Sequence, residues 1–183
     1  PNIDNTGKTE MEKRVNLEIQ KNTNQLLEDT TKRAKEYYKA FVETGGNPKE
    51  YIPLGVTLDY DIKCINQKYV SFIIFYYETK FSAYNMQYFY NIDIETGQII
   101  TLKDWFGTQY KQIVADSIEQ EIASWDEERK KLLWDNLEFT NVITENTDFY
   151  IAEDGNVVVV FPKYEIAAGS AGSLEFKILP ESR

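Results

Sequence analysis

An α+β fold is predicted by three features of the sequence. Aromatic and β-branched residues recur at every second position in several short segments, the spacing of half-buried strands. Two longer stretches carry apolar residues at helical spacing instead, and each opens on a residue able to cap a helix. Short turn sequences separate the strand-like segments, which favours antiparallel pairing. The expected architecture is an aromatic-rich antiparallel or mixed sheet with helices packed on one side.

The first helix is signalled by Thr9-Glu10-Met11-Glu12, a capping-box pattern with Thr9 as the cap and Glu12 at the third helical position. An apolar stripe follows through Val15, Ile19, Asn22, Leu26, Ala34, Tyr37 and Phe41, and Gly45-Gly46-Asn47-Pro48 stops it. An unbroken helix of this length would run about 50 Å at 1.5 Å per residue. Residues Glu28 to Arg33 are polar all round, so the two ends are expected to pack and the middle to bend or stay half exposed.

Three strands come next. Leu58, Tyr60, Ile62 and Cys64 alternate with Thr57, Asp59, Asp61 and Lys63, which predicts one buried and one wet face. Tyr69 to Tyr77 is apolar on both faces and reads as a central strand. In the third, Tyr84, Met86, Tyr88, Tyr90, Ile92 and Ile94 form the apolar face, with Asn85, Gln87, Asn91 and Asp93 on the polar one. Thr96-Gly97 makes a turn into a short strand, Gln98 to Leu102.

Thr101 to Asp104 then caps a helix that carries Tyr110, Ile113, Val114, Ile118, Ile122 and Trp125 on one face. Ser124 to Glu127 reads as a second capping box, opening a charged helix whose Leu132, Leu133, Trp134 and Leu137 make its apolar contacts. Near the C-terminus, Asp154-Gly155 is a two-residue turn ahead of Val157 to Phe161, a run too short and too β-branched for a helix. Pro162 ends that strand because it cannot donate to the ladder. A loop of small residues, Ala167 to Ser173, leads to the alternating strand Leu174, Phe176 and Ile178.

With 183 residues the chain is read as one compact domain, 1–183, large enough for a sizeable core. Thirty acidic and 20 basic residues give a net charge of −10, which repels nucleic acid and anionic lipid and attracts a basic partner. Histidine is absent, which removes Ser-His-Asp and Cys-His catalysis and His-ligated zinc. The single cysteine, Cys64, falls on an apolar strand face and reads as core. The acidic clusters have no spacing that fixes a catalytic dyad, and none matches a calcium loop. No cofactor, metal site or catalytic residue is expected. No apolar run approaches the roughly 18–20 residues of a membrane span. The chain opens at Pro1 without a Met or signal peptide and reads as an excised fragment.

Five motifs in order carry a family resemblance: P-x-I at Pro1 to Ile3, V-N-x-x-I at Val15 to Ile19, and N-I-D-x-x-T-G-x-x-I-T-L-x-D-x-F from Asn91 to Phe106. The other two are F-Y-I-x-x-D-G at Phe149 to Gly155 and F-P-x-Y-E-I-A-x-x-x-A-G at Phe161 to Gly172. Together they resemble a bacterial extracytoplasmic family, that of the lysozyme-sensing anti-sigma factor RsiV. The same regions precede the catalytic domain of the peptidoglycan deacetylase PdaC. The resemblance implies two family regions, about 1–102 and 103–183. It also implies a membrane-anchored parent whose transmembrane helix and sigma-factor-binding cytoplasmic segment lie outside this chain.

The resemblance places Pro162 and Tyr164 where the sensor contacts lysozyme. On residues alone, Pro162 need only end a strand and Tyr164 need only pack on the core. A rigid strand exit would nonetheless hold a binding loop ready, and Tyr offers large contact area at low entropy cost. Ser170 and Ser173, flanked by glycines, suit close entry into a sugar cleft, although a plain turn has the same composition. Lysozyme works with two carboxylates, and the loop carries no Asp or Glu from Ile166 to Leu174. The expected function is a non-enzymatic extracytoplasmic sensor that binds a basic lysozyme-type muramidase. The alternative is a wall-glycan-binding accessory module of a peptidoglycan-modifying enzyme.

Overall fold

The computed structural model describes residues 2–4, 6–79 and 84–179. Among these residues five α-helices (α1, Thr9–Glu43; α2, Leu102–Phe106; α3, Tyr110–Ala123; α4, Glu127–Lys130; α5, Phe139–Val142) accompany six strands. The strands are β1, Gly55–Ile65; β2, Tyr69–Thr79; β3, Tyr84–Asp93; β4, Phe149–Ile151; β5, Val157–Phe161; and β6, Leu174–Ile178. They form two antiparallel three-stranded sheets, ordered β1-β2-β3 and β4-β5-β6. The fold is α+β, as the alternation predicts. The chain forms two compact units with interleaved sequence: one takes residues 1–61, 74–87 and 94–97, the other 62–73, 88–93 and 98–183.

In the first unit α1 runs unbroken for 35 residues. Thr9 is not its cap: the helix starts after Lys8 with no side-chain cap, and the Glu12 carboxylate reaches past it to the N–H and hydroxyl of Thr6. Met11, Val15 and Ile19 are buried as the stripe requires. The polar middle is fastened rather than loose. Thr30 is buried and its hydroxyl meets the Tyr76 hydroxyl at 2.6 Å, while Arg33 pairs with Glu78, which also accepts from Tyr76. A polar stretch of helix thus packs because β2 presents polar tips to it. The Arg33 guanidinium is held above its usual pKa, chiefly by the Glu78 hydrogen bond. Near the helix end Tyr37, Tyr38 and Val42 are instead exposed.

Strand β2 is central and almost wholly buried, as its two apolar faces predict. Strand β1 departs from expectation. Only Cys64 of its apolar set is buried; Leu58 is 37% and Tyr60 52% exposed, because β1 lies at the sheet edge. Burial pushes the Cys64 thiol up, which suits a core residue. At the tight turn after β3, Gly97 has φ +65, and a Cβ there would strike Met11 and Arg14. The segment after that turn forms a single bridge, Ile92 to Ile99, and not a strand reaching Leu102. The true capping box at Thr101 and Asp104 turns the chain into α2 first.

In the second unit β5 is buried at all five positions between β4 and β6, with Phe149 opposite Val159 and Val159 opposite Phe176. Helix α3 packs on β6 and buries Tyr110, Val114, Ala115 and Ile118. Beyond its end Trp125 stacks on Phe176, ring centroids 5.6 Å apart, and Phe161 meets Phe176 edge-on. Ser124 does not cap the next helix; Asp126 does, accepting from the Arg129 N–H, and α4 is a single turn.

Asn91, expected on the polar face of β3, is 2% exposed. Its Nδ2 donates to the Phe149 carbonyl at 2.8 Å, and its Oδ1 accepts from the Ser71 hydroxyl at 2.7 Å and from the Ile151 N–H at 3.2 Å. The Ile151 N–H also reaches Ser71 Oγ at 2.9 Å. These bonds satisfy the outer edge of β4, which among the described residues has only β5 as a strand neighbour. Removing one partner of a buried network leaves the other groups desolvated and unpaired. Asn91→Ala is therefore expected to cost about 2–4 kcal/mol of stability, read as a lower denaturation midpoint. Asn91→Asp, which loses the donor to Phe149, is expected to cost at least as much, whereas an exposed control such as Gln120→Ala on α3 leaves the midpoint unmoved.

Candidate functional site

Strand β5 delivers the chain to the surface at Pro162. The Glu165 N–H bonds back to the Pro162 carbonyl at 3.1 Å, closing a tight turn around Lys163 and Tyr164. Tyr164 has φ 77, a left-handed conformation that glycine or asparagine normally supplies. Its side chain is 65% exposed, so Tyr164 is not a core residue. The ring lies directly over Gly169: a Cβ added there would fall inside the ring's van der Waals envelope. The Lys163 Nζ sits 5.0 Å from the ring centroid.

The loop is pinned from a second segment. Ala168 N–H donates to the Leu132 carbonyl at 2.7 Å, and Trp134 N–H donates to the Ile166 carbonyl at 3.0 Å. Leu133 and Ala167 form a bridge, and the Trp134 indole N–H reaches the Tyr164 carbonyl at 3.2 Å. Ile166 and Ala167 are buried, anchoring the loop root. Residues Gly169–Ala171 make a single 3-10 turn, and Gly172 leaves it at φ +73. Pro162, Tyr164, Ser170 and Ser173 all face solvent on this one loop.

Trp134 and Gly169 are functional candidates that sequence reasoning missed. The sequence assigns Trp134, Leu132 and Leu133 to the apolar face of a helix. Here Leu132 closes the turn after α4, Leu133 bridges to Ala167, and Trp134 is 44% exposed. Their partners are some 30 residues away, so no local pattern could signal the pairing. Gly169 carried a signal, a glycine between small residues, but not the ring above it.

At the root of the loop lie two carboxylates, Asp148 and Glu165. The Asp148 carbonyl accepts from the Val160 N–H at 2.8 Å, which sets Asp148 beside the end of β5. Burial, and then the charge of Glu165, pushes the Asp148 carboxyl up to about 6. Burial also raises Glu165. Among the described residues no group of three or more His, Cys, Asp or Glu is placed to hold a metal ion. What the loop offers a ligand is an aromatic ring, hydroxyls and backbone amides.

The geometry defines an α+β domain that presents one stiff, surface-exposed loop after its most buried strand. Residues 102–179, which contain that loop, match the family described as a protein of unknown function, DUF3298. Over 162 residues the chain is 28% identical to anti-sigma-V factor RsiV of Bacillus subtilis strain 168, covering 85% of this chain and 56% of RsiV. It also resembles the crystal structure of a DUF3298 family member from Bacteroides fragilis NCTC 9343, with a TM-score of 0.60 at 16% identity. That match covers 87% of this chain and 64% of the other, and it speaks to the fold alone. The chain thus spans a little over half the length of RsiV. Residues 102–179 are thus similar to the DUF3298 family, and the chain over most of its length is similar to the anti-sigma factor.

Two outcomes follow from this geometry. The folded Asp148 pKa, about 6, lies above its ordinary 3.8, so the folded state holds the proton more tightly. The stability Asp148 contributes is present below 3.8 and lost as pH rises through 6. Asp148→Asn should raise the melting temperature at pH 7.5 by an amount equivalent to about 1 kcal/mol after allowance for its partial exposure, and the gain should vanish near pH 4. Gly169→Ala should displace the Tyr164 ring without unfolding the protein. The check is loss of the Tyr164–Gly169 contacts in NMR spectra whose remaining resonances stay in place.

Proposed function

We propose that this chain is the ligand-binding region of an extracytoplasmic sensor, and that its ligand is a basic, lysozyme-type muramidase. Similarity to an anti-sigma factor supports a sensor role. The observation that carries the reading is Tyr164, exposed, held at a positive φ and braced on Gly169. A bulky residue in a left-handed conformation is strained by about 1–3 kcal/mol, and such strain concentrates at binding sites. Around it, Pro162 stiffens the exit, while Ser170 and Ser173 offer small neutral hydroxyls to a cleft lined by carboxylates.

The net charge of −10 supports a cationic partner, since complementary charge chiefly raises the association rate. The parent protein, in this reading, is anchored in the membrane, with its sigma factor held by a segment beyond this chain. The chain itself performs no chemistry on the ligand.

Calorimetric titration with lysozyme at moderate salt tests the proposal, and saturable heat with inhibition of muramidase activity is the expected result. Tyr164→Ala should weaken binding by more than about 1 kcal/mol, as buried aromatic anchors do at interfaces. Retained affinity in the folded variant would remove Tyr164 from the interface. Capture by purified peptidoglycan, together with indifference to lysozyme, would favour a wall-glycan-binding module instead.

A further inference from the structure

The loop that carries Tyr164 also carries a cation. From Pro162 to Ser173 its only basic residue is Lys163 and its only acidic one is Glu165. The charge of Glu165 acts at the loop root, on Asp148. Lys163 stays with the exposed ring: it faces solvent, its Nζ lies 5.0 Å from the centre of Tyr164, and it pairs with no carboxylate among the described residues. Other lysines of the second unit do find one. Lys103 meets Glu145 at 2.8 Å, Lys131 meets Glu128 at 2.6 Å, and Lys177 meets Asp154 at 2.5 Å. An ammonium beside an exposed ring is attracted only weakly, so it is free to pair with an anion that a ligand brings.

We propose that Lys163 is the charge-pairing residue of the ligand loop, its ammonium meeting a carboxylate in the muramidase cleft as Tyr164 packs beside it. The pairing rests on the muramidase reading above and adds a charge to the ring, hydroxyls and amides already described. A glycosidase cleft holds two carboxylates. Covering one of them with a tyrosine ring alone would strip its water and leave the charge unpaired, which is costly. The hydroxyls of Ser170 and Ser173 could hydrogen-bond such a group but cannot neutralise it. A lysine next to the ring supplies the missing charge.

A merely solvated lysine at the rim of the interface predicts an effect of the opposite sign. There it would face a cationic partner and oppose its approach, so removing its charge would leave binding unchanged or tighten it. The direction of the change therefore separates the two roles.

The test is a double-mutant cycle by calorimetry at moderate salt. It uses the whole chain, lysozyme, and two lysozyme variants that each have one catalytic carboxylate replaced by its amide. Lys163→Met, which keeps the length and loses the charge, should weaken binding of unmodified lysozyme at least about fivefold, and Lys163→Glu at least about twentyfold, with melting temperatures unchanged. Lys163→Arg should stay within about threefold of the unaltered chain. Against one of the two amide variants the effect of Lys163→Met should shrink below about twofold. Binding by Lys163→Met as tight as, or tighter than, that of the unaltered chain would overturn the proposal, and with Tyr164→Ala still weakened it would leave the muramidase reading standing. A loss that persists in full against both amide variants would also overturn it, since Lys163 would then act on something other than a catalytic carboxylate. No binding of lysozyme by the unaltered chain would remove the muramidase reading, and the pairing with it.

Discussion

A side-chain amide standing in for a backbone strand holds the second unit together. Strand β4 is three residues long, too short to be stable by its own ladder, and among the described residues has β5 on one side only. The Asn91 carboxamide supplies the missing donor and acceptor to Phe149 and Ile151, and Ser71 orients it. The amide does this from two separate atoms, so one side chain spans both backbone groups. A hydroxyl must donate and accept from a single oxygen, and an ionised carboxylate cannot donate at all. The same device recurs in the first unit, where Asn16 accepts from the Ile3 N–H and donates to the Ile3 carbonyl, both at 2.7 Å. Each asparagine falls in one of the motifs that carry the family resemblance, and each is explained by backbone it completes.

The rigidity set up at Asn91 passes directly to the loop. Strand β4 pairs with β5, and β5 ends at the turn that holds Tyr164 at positive φ. A strained residue persists only where its surroundings over-determine it. Here three restraints converge: the proline exit, the Trp134 indole on the Tyr164 carbonyl, and Gly169 beneath the ring. Since the loop root is also bonded at Leu132 and Trp134, little ordering entropy remains to be lost when a ligand arrives.

What could be read from the sequence was what depends on near neighbours. Alternation located β3 and β6, short apolar runs located β2 and β5, and the Thr101–Asp104 box marked a real helix start, because all of these signals are local. The failures share a cause. Leu58 and Tyr60 alternate as a buried face should, but alternation cannot say that β1 is an edge with no cover. Asn91 looked like a solvent-facing residue because its partners lie on β2 and β4. The polar middle of α1 suggested exposure because Tyr76 and Glu78, which meet Thr30 and Arg33, are over 40 residues away in sequence. At the loop, Pro162, Tyr164, Ser170 and Ser173 could be named, whereas Trp134 could not.

The distribution of charge follows a consistent logic for the partner we propose. A net charge of −10 acts at a distance of about one Debye length, roughly 8 Å at physiological salt, and so serves approach more than contact. At contact, an acidic probe facing a carboxylate-lined cleft would meet repulsion in a medium where charge is poorly screened. The loop answers this by composition, with no Asp or Glu from Ile166 to Leu174. Beside it, partial burial makes ionisation of Asp148, and of the surface-facing Glu165, harder than for free carboxylates. The molecule therefore keeps its negative charge on the body and brings forward a surface of ring, hydroxyl and amide, so that attraction and fit are carried by different residues.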